Sequence, residues 1–194
     1  TRILSASACA PSDTVIAAAL GWARDQAPAA RILDLGTGSG CLLLTCLAEL
    51  PQASGVGIDI SAEALEMAAM NANQHGLAAR TTFYQQDFAT DLMAHGQFDL
   101  ILSNPPYIPS ADIEMLDADV RHFDPLVALD GGADGLACWR VVCPQIATAL
   151  SDGGMAFVEI GAGQGKSVGM LGRASGLRLL GSFADLSGHE RCLQ

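Results

Sequence analysis

The stretch Asp34-Leu35-Gly36-Thr37-Gly38-Ser39-Gly40 separates a short apolar run at 31–35 from a helical pattern that begins at Cys41. The apolar run is typical of a buried strand, and we expect the helix to end near Leu50. Glycine at every second position allows a tight turn and lets a ligand approach the backbone closely. The start of the helix offers free N–H groups to an anion. Because the spacing differs from the dinucleotide pattern G-x-G-x-x-G, we expect a carboxylate here rather than a pyrophosphate.

Apolar strands continue to alternate with helical patterns along the rest of the chain. We predict strands at 55–60, 81–84, 98–103 and 155–160, and two more at 177–183 and 191–193. Helices are predicted from 12–14 to about 24, from Ser61 to about 74, over 134–149 and after 161–165. Strands that alternate with helices in this way indicate an α/β fold with a parallel sheet.

Composition restricts the class of protein. The chain has 194 residues, which suits one domain, and its 10 Lys and Arg against 21 Asp and Glu give a net charge of −11. Nucleic-acid binding depends on neutralising phosphates, so we expect no direct nucleic-acid partner. We find no apolar run of bilayer length and no signal peptide, and none of the six cysteines forms a C-x-x-C pair. We therefore expect a cytoplasmic protein with no membrane contact and no zinc site.

Polar side chains follow successive predicted strands. Asp59 ends the second strand, next to Ile60, and a carboxylate at this place can accept both hydroxyls of a ribose. Asp87 and Phe88 follow the third strand, where a polar group and an aromatic ring can hold an adenine. A carboxylate, a ribose and an adenine together describe S-adenosylmethionine. The alternative is another nucleotide site on a Rossmann-like fold.

Asn104-Pro105-Pro106-Tyr107 follows the fourth predicted strand. Proline pushes the residue before it towards extended geometry, which holds the Asn104 backbone extended. The Asn104 side-chain oxygen and the Pro105 carbonyl are then two hydrogen-bond acceptors on a stiff turn, which suits a planar NH2 group. Tyr107 adds an aromatic face. The alternative is a proline-rich stop after a strand.

These motifs together resemble the class I S-adenosylmethionine-dependent methyltransferases, and more narrowly the HemK-type release-factor glutamine methyltransferases. The resemblance runs from about Arg31 to the C-terminus. It rests on the motifs at 34–40, 57–60, 103–107 and 159–161 with 164–165, and on the closing segment 185–188 with Arg191. The stretch 120–136 is the most discriminating, because the tetrapeptide at Asn104 also occurs in adenine-N6 methyltransferases.

The resemblance implies a single catalytic domain over 1–194, without the helical N-terminal domain of the family. Its fold would be Rossmann-like, with a mostly parallel seven-stranded sheet, helices on both faces and a C-terminal antiparallel strand. The implied reaction methylates the side-chain amide of the glutamine in the Gly-Gly-Gln loop of peptide chain release factors. The catalytic residues would be Asn104, Pro105, Pro106 and Tyr107. The cofactor would contact Asp34, Gly36, Thr37, Gly38, Ser39, Gly40, Asp59, Ile60, Asp87, Phe88 and Asn104.

Three other functions share part of this pattern. A nucleic-acid amino methyltransferase would use the same tetrapeptide with a base stacked on Tyr107. The small number of Lys and Arg residues disfavours this alternative. A non-catalytic subunit on the same fold would not need the glycine loop, Asp59 and Asn104 together. A nicotinamide enzyme is disfavoured by the glycine spacing.

Overall fold

The computed structural model describes residues 12–116 and 126–194, and a seven-stranded sheet forms its centre. The strands are β1 (Arg31–Leu35), β2 (Ser54–Asp59), β3 (Thr81–Gln85), β4 (Phe98–Ser103), β5 (Leu150–Glu159), β6 (Ser182–Ala184) and β7 (Glu190–Leu193). They lie in the order β3-β2-β1-β4-β5-β7-β6. All pairings are parallel except those of β7, which runs antiparallel to both of its neighbours. The predicted α/β fold with a mostly parallel sheet is therefore confirmed.

Helices cover both faces of the sheet, because successive residues of the central strands point to opposite sides. Ile32 of β1 packs with the helices of one face, and its neighbour Leu33 packs on the other. The helices are α1 (Ser12–Gln26), α2 (Cys41–Glu49), α3 (Ala62–Gln74), α4 (Leu126–Leu129), α5 (Ala137–Ala149) and α6 (Gly165–Ala174). Buried apolar residues of α1, α2 and α3 belong to the first apolar cluster, which contains Ile32, and those of α5 and α6 belong to the second, which contains Leu33.

Several predicted boundaries were wrong by a few residues. Helix α5 begins at Ala137 rather than at 134, because Gly132 and Gly135 have φ of +83° and +70°, outside helical geometry. Strand β5 begins at Leu150 rather than at 155, where Leu150 pairs with Phe98 across an irregular register.

The predicted strand at 177–183 shortens to β6, Ser182–Ala184. The Leu177 amide donates to the Gly172 carbonyl and closes α6, at a distance of 2.9 Å. Leu177 and Leu179 then pack on the second apolar cluster, so this segment is used for core packing before the strand begins.

The strand order places the predicted site residues at one edge of the sheet. β1 lies between β2 and β4, so the order reverses there, which is where open α/β sheets bind ligands. Leu35, the last residue of β1, is in register with Ile58 on one side and Ser103 on the other. The glycine loop and Asn104 directly follow β1 and β4, and Asp59 is the last residue of β2.

No helix in the part of the chain that the structure describes is both long and apolar enough to cross a membrane.

Candidate active site

The glycine loop, residues 36–40, is held over the end of β2 by its own amides. The N–H groups of Gly36 and Thr37 both donate to the Ile58 carbonyl, at 2.9 and 3.0 Å. Gly36, Gly38 and Gly40 have φ of +72°, +55° and +82°, a region that L side chains rarely adopt. Apart from its own chain neighbours, no described residue has an atom within 4 Å of a Cβ placed on Gly38, so open space lies beside the loop. The loop can therefore admit a ligand against its backbone.

Asp34 supports this loop from beneath. Its side chain is fully buried, and its Oδ2 accepts a hydrogen bond of 2.7 Å from the Thr37 hydroxyl. Burial raises the pKa of the Asp34 carboxyl to about 7, although the Thr37 hydroxyl and the Leu43 amide lower it and the nearby Asp59 raises it further. Asp34 thus carries a fraction of its charge at neutral pH, and it reaches the loop through Thr37.

Asp59 joins the glycine loop to the start of α3. Its Oδ2 accepts from the Gly38 amide at 2.8 Å, and its Oδ1 accepts from the Ser61 amide at 2.9 Å. Two backbone bonds therefore fix this half-buried carboxylate, while each oxygen keeps a second lone pair for a further donor. Ile60 follows with 56 % of its surface exposed, so it offers an apolar contact at the same edge.

Two further side chains approach the loop from neighbouring segments. The Asn71 amide of α3 donates to the Ser39 carbonyl at 2.9 Å and anchors the far side of the loop. Phe88 is half-buried, and its ring lies 4.0 Å from the Cβ position of Gly36. Asp87 is exposed in the turn before it, where its Oδ1 accepts from the Ala89 amide at 2.8 Å. The structure thus brings Phe88 to the loop, with Asp87 in the adjoining turn.

Asn104 lies directly beyond β4, across the switch point from the glycine loop. The Ser103 hydroxyl donates to the Leu35 carbonyl at 2.9 Å, which ties the ends of β4 and β1 together. Asn104 is half-buried, and Pro105 is buried. Within residues 12–116 and 126–194, neither the Asn104 carboxamide nor the Pro105 carbonyl has a hydrogen-bond partner. Both acceptors thus keep their bonding capacity for a guest.

Tyr107 is fixed at both of its ends. Its hydroxyl donates to Glu159 Oε1 at 3.2 Å, and its carbonyl accepts from Gln164 Nε2 at 2.9 Å. Burial, together with the negative charge of Glu159, raises the pKa of the Tyr107 phenol to about 12, against a lowering influence of Arg191. The phenol therefore stays neutral throughout the physiological range.

The residues after Tyr107 lie alongside part of the stretch 120–136, which is the most discriminating one for the family resemblance. Ile108 forms an isolated parallel bridge with Asp130, in which the Gly131 amide donates to the Ile108 carbonyl at 2.8 Å. The Ser110 amide also donates to the Gly132 carbonyl, at 2.9 Å. Residues 129–132 of that stretch therefore pair with residues 108–110, directly after the tetrapeptide, and its first part, 120–125, lies outside the described residues.

Sequence reasoning missed three residues that shape this site: Asn71, Glu159 and Gln164. Glu159 and Gln164 belong to a motif that supports the family resemblance, but the motif by itself gives no role for either. Asn71 has no signal in the sequence beyond an amide on a helix. All three act on segments at least 29 residues away, which no local pattern describes.

The fold and the site at the switch point define a Rossmann-like methyltransferase domain. Solved structures with this fold include TrmN from Thermus thermophilus, with a TM-score of 0.62 and 19 % identity over 92 % of this chain and 46 % of that one. Ribosomal protein L11 methylase from Lactobacillus delbrueckii subsp. bulgaricus gives a TM-score of 0.61 and 17 % identity, over 93 % of this chain and 76 % of that one. At such identities the likeness concerns the fold alone.

The chain belongs to the methyltransferase small domain family, whose model matches residues 18–119. Its curated relatives include the release factor glutamine methyltransferase of Rhodospirillum rubrum, 51 % identical over 84 % of this chain and 50 % of that protein. The protein of the same name from Caulobacter vibrioides is 47 % identical over 82 % of this chain and 55 % of its own length. The resemblance to the HemK-type enzymes is confirmed, and the chain spans about half the length of these relatives.

Proposed function

We propose that this chain is the catalytic part of an S-adenosylmethionine-dependent enzyme that methylates the side-chain amide of the glutamine in the Gly-Gly-Gln loop of peptide chain release factors. One observation carries the proposal. The Asn104 carboxamide is half-buried at the same edge of the sheet as the glycine loop and Asp59, and no other described residue uses its hydrogen-bonding capacity. Relatives at 51 and 47 % identity bear the name of that activity, which supports the choice of acceptor.

The residues around the glycine loop fit S-adenosylmethionine. The open space at Gly38 admits a group against the loop backbone, and Asp59 retains lone pairs for ribose hydroxyls. Phe88, next to Gly36, provides an apolar face for the adenine, with Asp87 in the adjoining turn. When bound, this cofactor supplies an electrophilic methyl group. Asp34, Thr37, Ser39 and Gly40 shape the loop that would hold it.

The tetrapeptide orients the acceptor. An amide nitrogen is a weak nucleophile because its lone pair is delocalised into the carbonyl. The Asn104 oxygen and the Pro105 carbonyl can each accept one N–H of the acceptor amide, and this stabilises the positive charge that develops on its nitrogen. Pro105 and Pro106 restrict the backbone between these acceptors and Tyr107. Holding the nitrogen in one orientation adds a proximity contribution to the rate.

Tyr107 contributes a neutral surface next to the acceptor. Its phenol stays protonated because its pKa is raised to about 12. Tyr107 is held at its hydroxyl and at its backbone carbonyl, so its neutral ring offers the acceptor a flat face that carries no charge. Selection of the acceptor therefore depends on shape and on the two hydrogen-bond acceptors.

Charge supports a basic protein as the partner. The net charge is −11, with 10 basic against 21 acidic side chains. Complementary charge accelerates encounter between proteins, and duplex DNA or RNA would be repelled by an acidic surface. A protein domain that itself contacts ribosomal RNA would have the opposite charge.

The test is a labelling experiment with three acceptors. The chain is incubated with methyl-labelled cofactor and, separately, with release factor, duplex DNA and ribosomal RNA, and the labelled position is mapped by mass spectrometry. We expect label on the glutamine of the Gly-Gly-Gln loop, and none on a release factor in which that glutamine is replaced by glutamate. Label on DNA or RNA with none on release factor would overturn the proposal. Calorimetry with the cofactor alone separates loss of binding from loss of transfer.

A further inference from the structure

We propose that Gln164 is a positioning residue of the acceptor pocket, which holds the Tyr107 segment through its backbone carbonyl. The reaction in which Gln164 would take part rests on the proposed function. The contacts of Gln164 are observed in the structure and do not depend on that function. Gln164 lies just before α6, 57 residues from Tyr107 in the sequence.

The Gln164 carboxamide uses each of its polar atoms. Its Oε1 accepts from the Gly161 amide at 3.0 Å. Its Nε2 donates to the Tyr107 carbonyl at 2.9 Å and to the Gly135 carbonyl at 3.2 Å. One side chain therefore joins the tetrapeptide, the turn before α5 and the connection between β5 and α6. An NH2 group with two donors is needed to reach both carbonyls at once.

Three glycines make room for this arrangement. A Cβ on Gly135 would overlap the Tyr107 carbonyl oxygen and would lie 2.7 Å from Gln164 Nε2. A Cβ on Gly161 would lie 2.8 Å from Gln164 Oε1 and 3.1 Å from the Tyr107 ring, and one on Gly131 would lie 2.8 Å from the Tyr107 backbone. Such distances are too short for side-chain carbon. At these three glycines the backbone therefore packs directly against Tyr107 and Gln164.

Gln164 acts together with Glu159 on the two ends of Tyr107. Glu159 is buried at the end of β5 and accepts from the Tyr107 hydroxyl. Gln164 holds the carbonyl of the same residue, so one connection between β5 and α6 fixes both ends. Because Pro105 and Pro106 are stiff, the position of Tyr107 is transmitted to the acceptors on Asn104 and Pro105. Gln164 therefore influences the acceptor amide without touching it.

The substitution that tests this role is Gln164→Glu. The new carboxyl has the shape of the amide and can still accept from Gly161. When ionised, however, it has no proton for the carbonyls of Tyr107 and Gly135, and it repels both oxygens. When protonated, its O–H can donate to one of them, so lowering the pH restores part of the contact. The pH dependence thus reports the missing donor rather than a change in size.

We expect kcat of Gln164→Glu at pH 8 to fall by roughly 10-fold to 100-fold, since small misplacements at a reacting centre cost about that much. The carbonyl oxygens of Tyr107 and Gly135 and the nearby Glu159 carboxylate disfavour a charge on the new carboxyl, so its pKa should lie above the ordinary value of about 4.3. The ratio of variant to unsubstituted kcat should therefore rise as the pH falls from 8 to 5, with little change in the dissociation constant of S-adenosylhomocysteine. The charged groups close to this region are Glu159, Glu190, Arg191 and Asp134 paired with Arg140. They are present in both proteins, and in the variant they also influence the pKa of the new carboxyl. Gln52→Glu, in an exposed turn, is the matched charge control and should show a constant ratio.

Two kinetic results would overturn the proposal. One is a Gln164→Glu variant with unchanged kcat at every pH. The other is a loss that does not recover at low pH and is accompanied by an equal loss of cofactor affinity, which would indicate general structural damage.

A second measurement is independent of the reaction. In Gln164→Ala, hydrogen exchange followed by mass spectrometry should show faster exchange in the peptides that contain the Gly161 and Gly131 amides, with α1 and β2 unchanged. Unchanged protection at both amides would overturn the proposed contact. If the unsubstituted chain labels no release factor, the proposed function fails, and the exchange result still decides whether Gln164 holds the Tyr107 segment.

Discussion

Asp34→Asn tests the buried carboxyl beneath the glycine loop. Asp34 is fully buried, and its pKa is raised from an ordinary value of 3.8 to about 7. Between these two values the unfolded chain carries the charge while the folded protein holds the proton. The folded state then binds more protons than the unfolded state, so the free energy of unfolding falls as the pH rises from about 4 to about 7.

The magnitude follows from the size of the shift. A shift of one pKa unit corresponds to about 1.4 kcal/mol, so a change from 3.8 to about 7 corresponds to about 4 kcal/mol across the whole window. Relaxation around the ionised carboxylate makes this an upper bound. The contribution becomes constant about one pH unit above the folded-state pKa, because Asp34 is then ionised in both states.

Asparagine removes this titration but keeps an oxygen for the Thr37 hydroxyl. The amide NH2 of the variant lies near the Leu43 amide, which adds a cost that does not depend on pH. We therefore expect the unfolding free energy of Asp34→Asn, relative to that of the unsubstituted chain, to rise by about 2–4 kcal/mol between pH 4.5 and pH 8.

The assay is urea denaturation of both proteins at pH 4.5, 5.5, 6.5 and 8, with Asp25→Asn on the exposed surface of α1 as the control. The unfolding free energy of Asp25→Asn, relative to that of the unsubstituted chain, should not rise with pH in the way that the value for Asp34→Asn does. Parallel stability curves for Asp34→Asn and the unsubstituted chain would refute the reasoning, because they would show that Asp34 titrates alike in both states.

The remaining predictions concern binding and turnover. Asp59→Ala should weaken S-adenosylmethionine binding by roughly tenfold or more in calorimetry, since hydrogen bonds to a charged group contribute about 1.5–3 kcal/mol each; unchanged affinity would remove Asp59 from the ribose site. Asn104→Ala should lower kcat on release factor by about 10²–10³ with cofactor affinity nearly intact, and normal turnover with poor cofactor affinity would place Asn104 in the cofactor pocket instead. Methylation of release factor should slow as salt rises from about 0.05 to 0.3 M, because salt screens the attraction to an acidic enzyme; a rate independent of salt would contradict charge steering.

The sequence by itself determined the class of fold and the position of the main site motifs along the chain. The glycine loop and Asn104 each follow a predicted strand and Asp59 ends another, and the carboxyl ends of parallel strands meet at one edge of the sheet. Local chemistry suffices for this inference, because each signal is a pattern of only a few residues. The signals are the glycine spacing, the acid at the end of a strand and the proline after Asn104. The same locality explains why most predicted helices and strands agree with the structure within a few residues.

The tertiary structure alone decided which groups meet around those motifs. Gln164 bonds to Tyr107 across 57 residues, and Asn71 reaches Ser39 across 32. The full burial of Asp34 and its raised pKa, and the shortening of β6 after Leu177 and Leu179 pack on the core, also follow from neighbours distant in sequence. The physical reason is that periodicity and turn chemistry describe the backbone over a few residues. Hydrogen bonds and burial instead depend on which strands become neighbours in the sheet, and that is settled only when the whole chain packs.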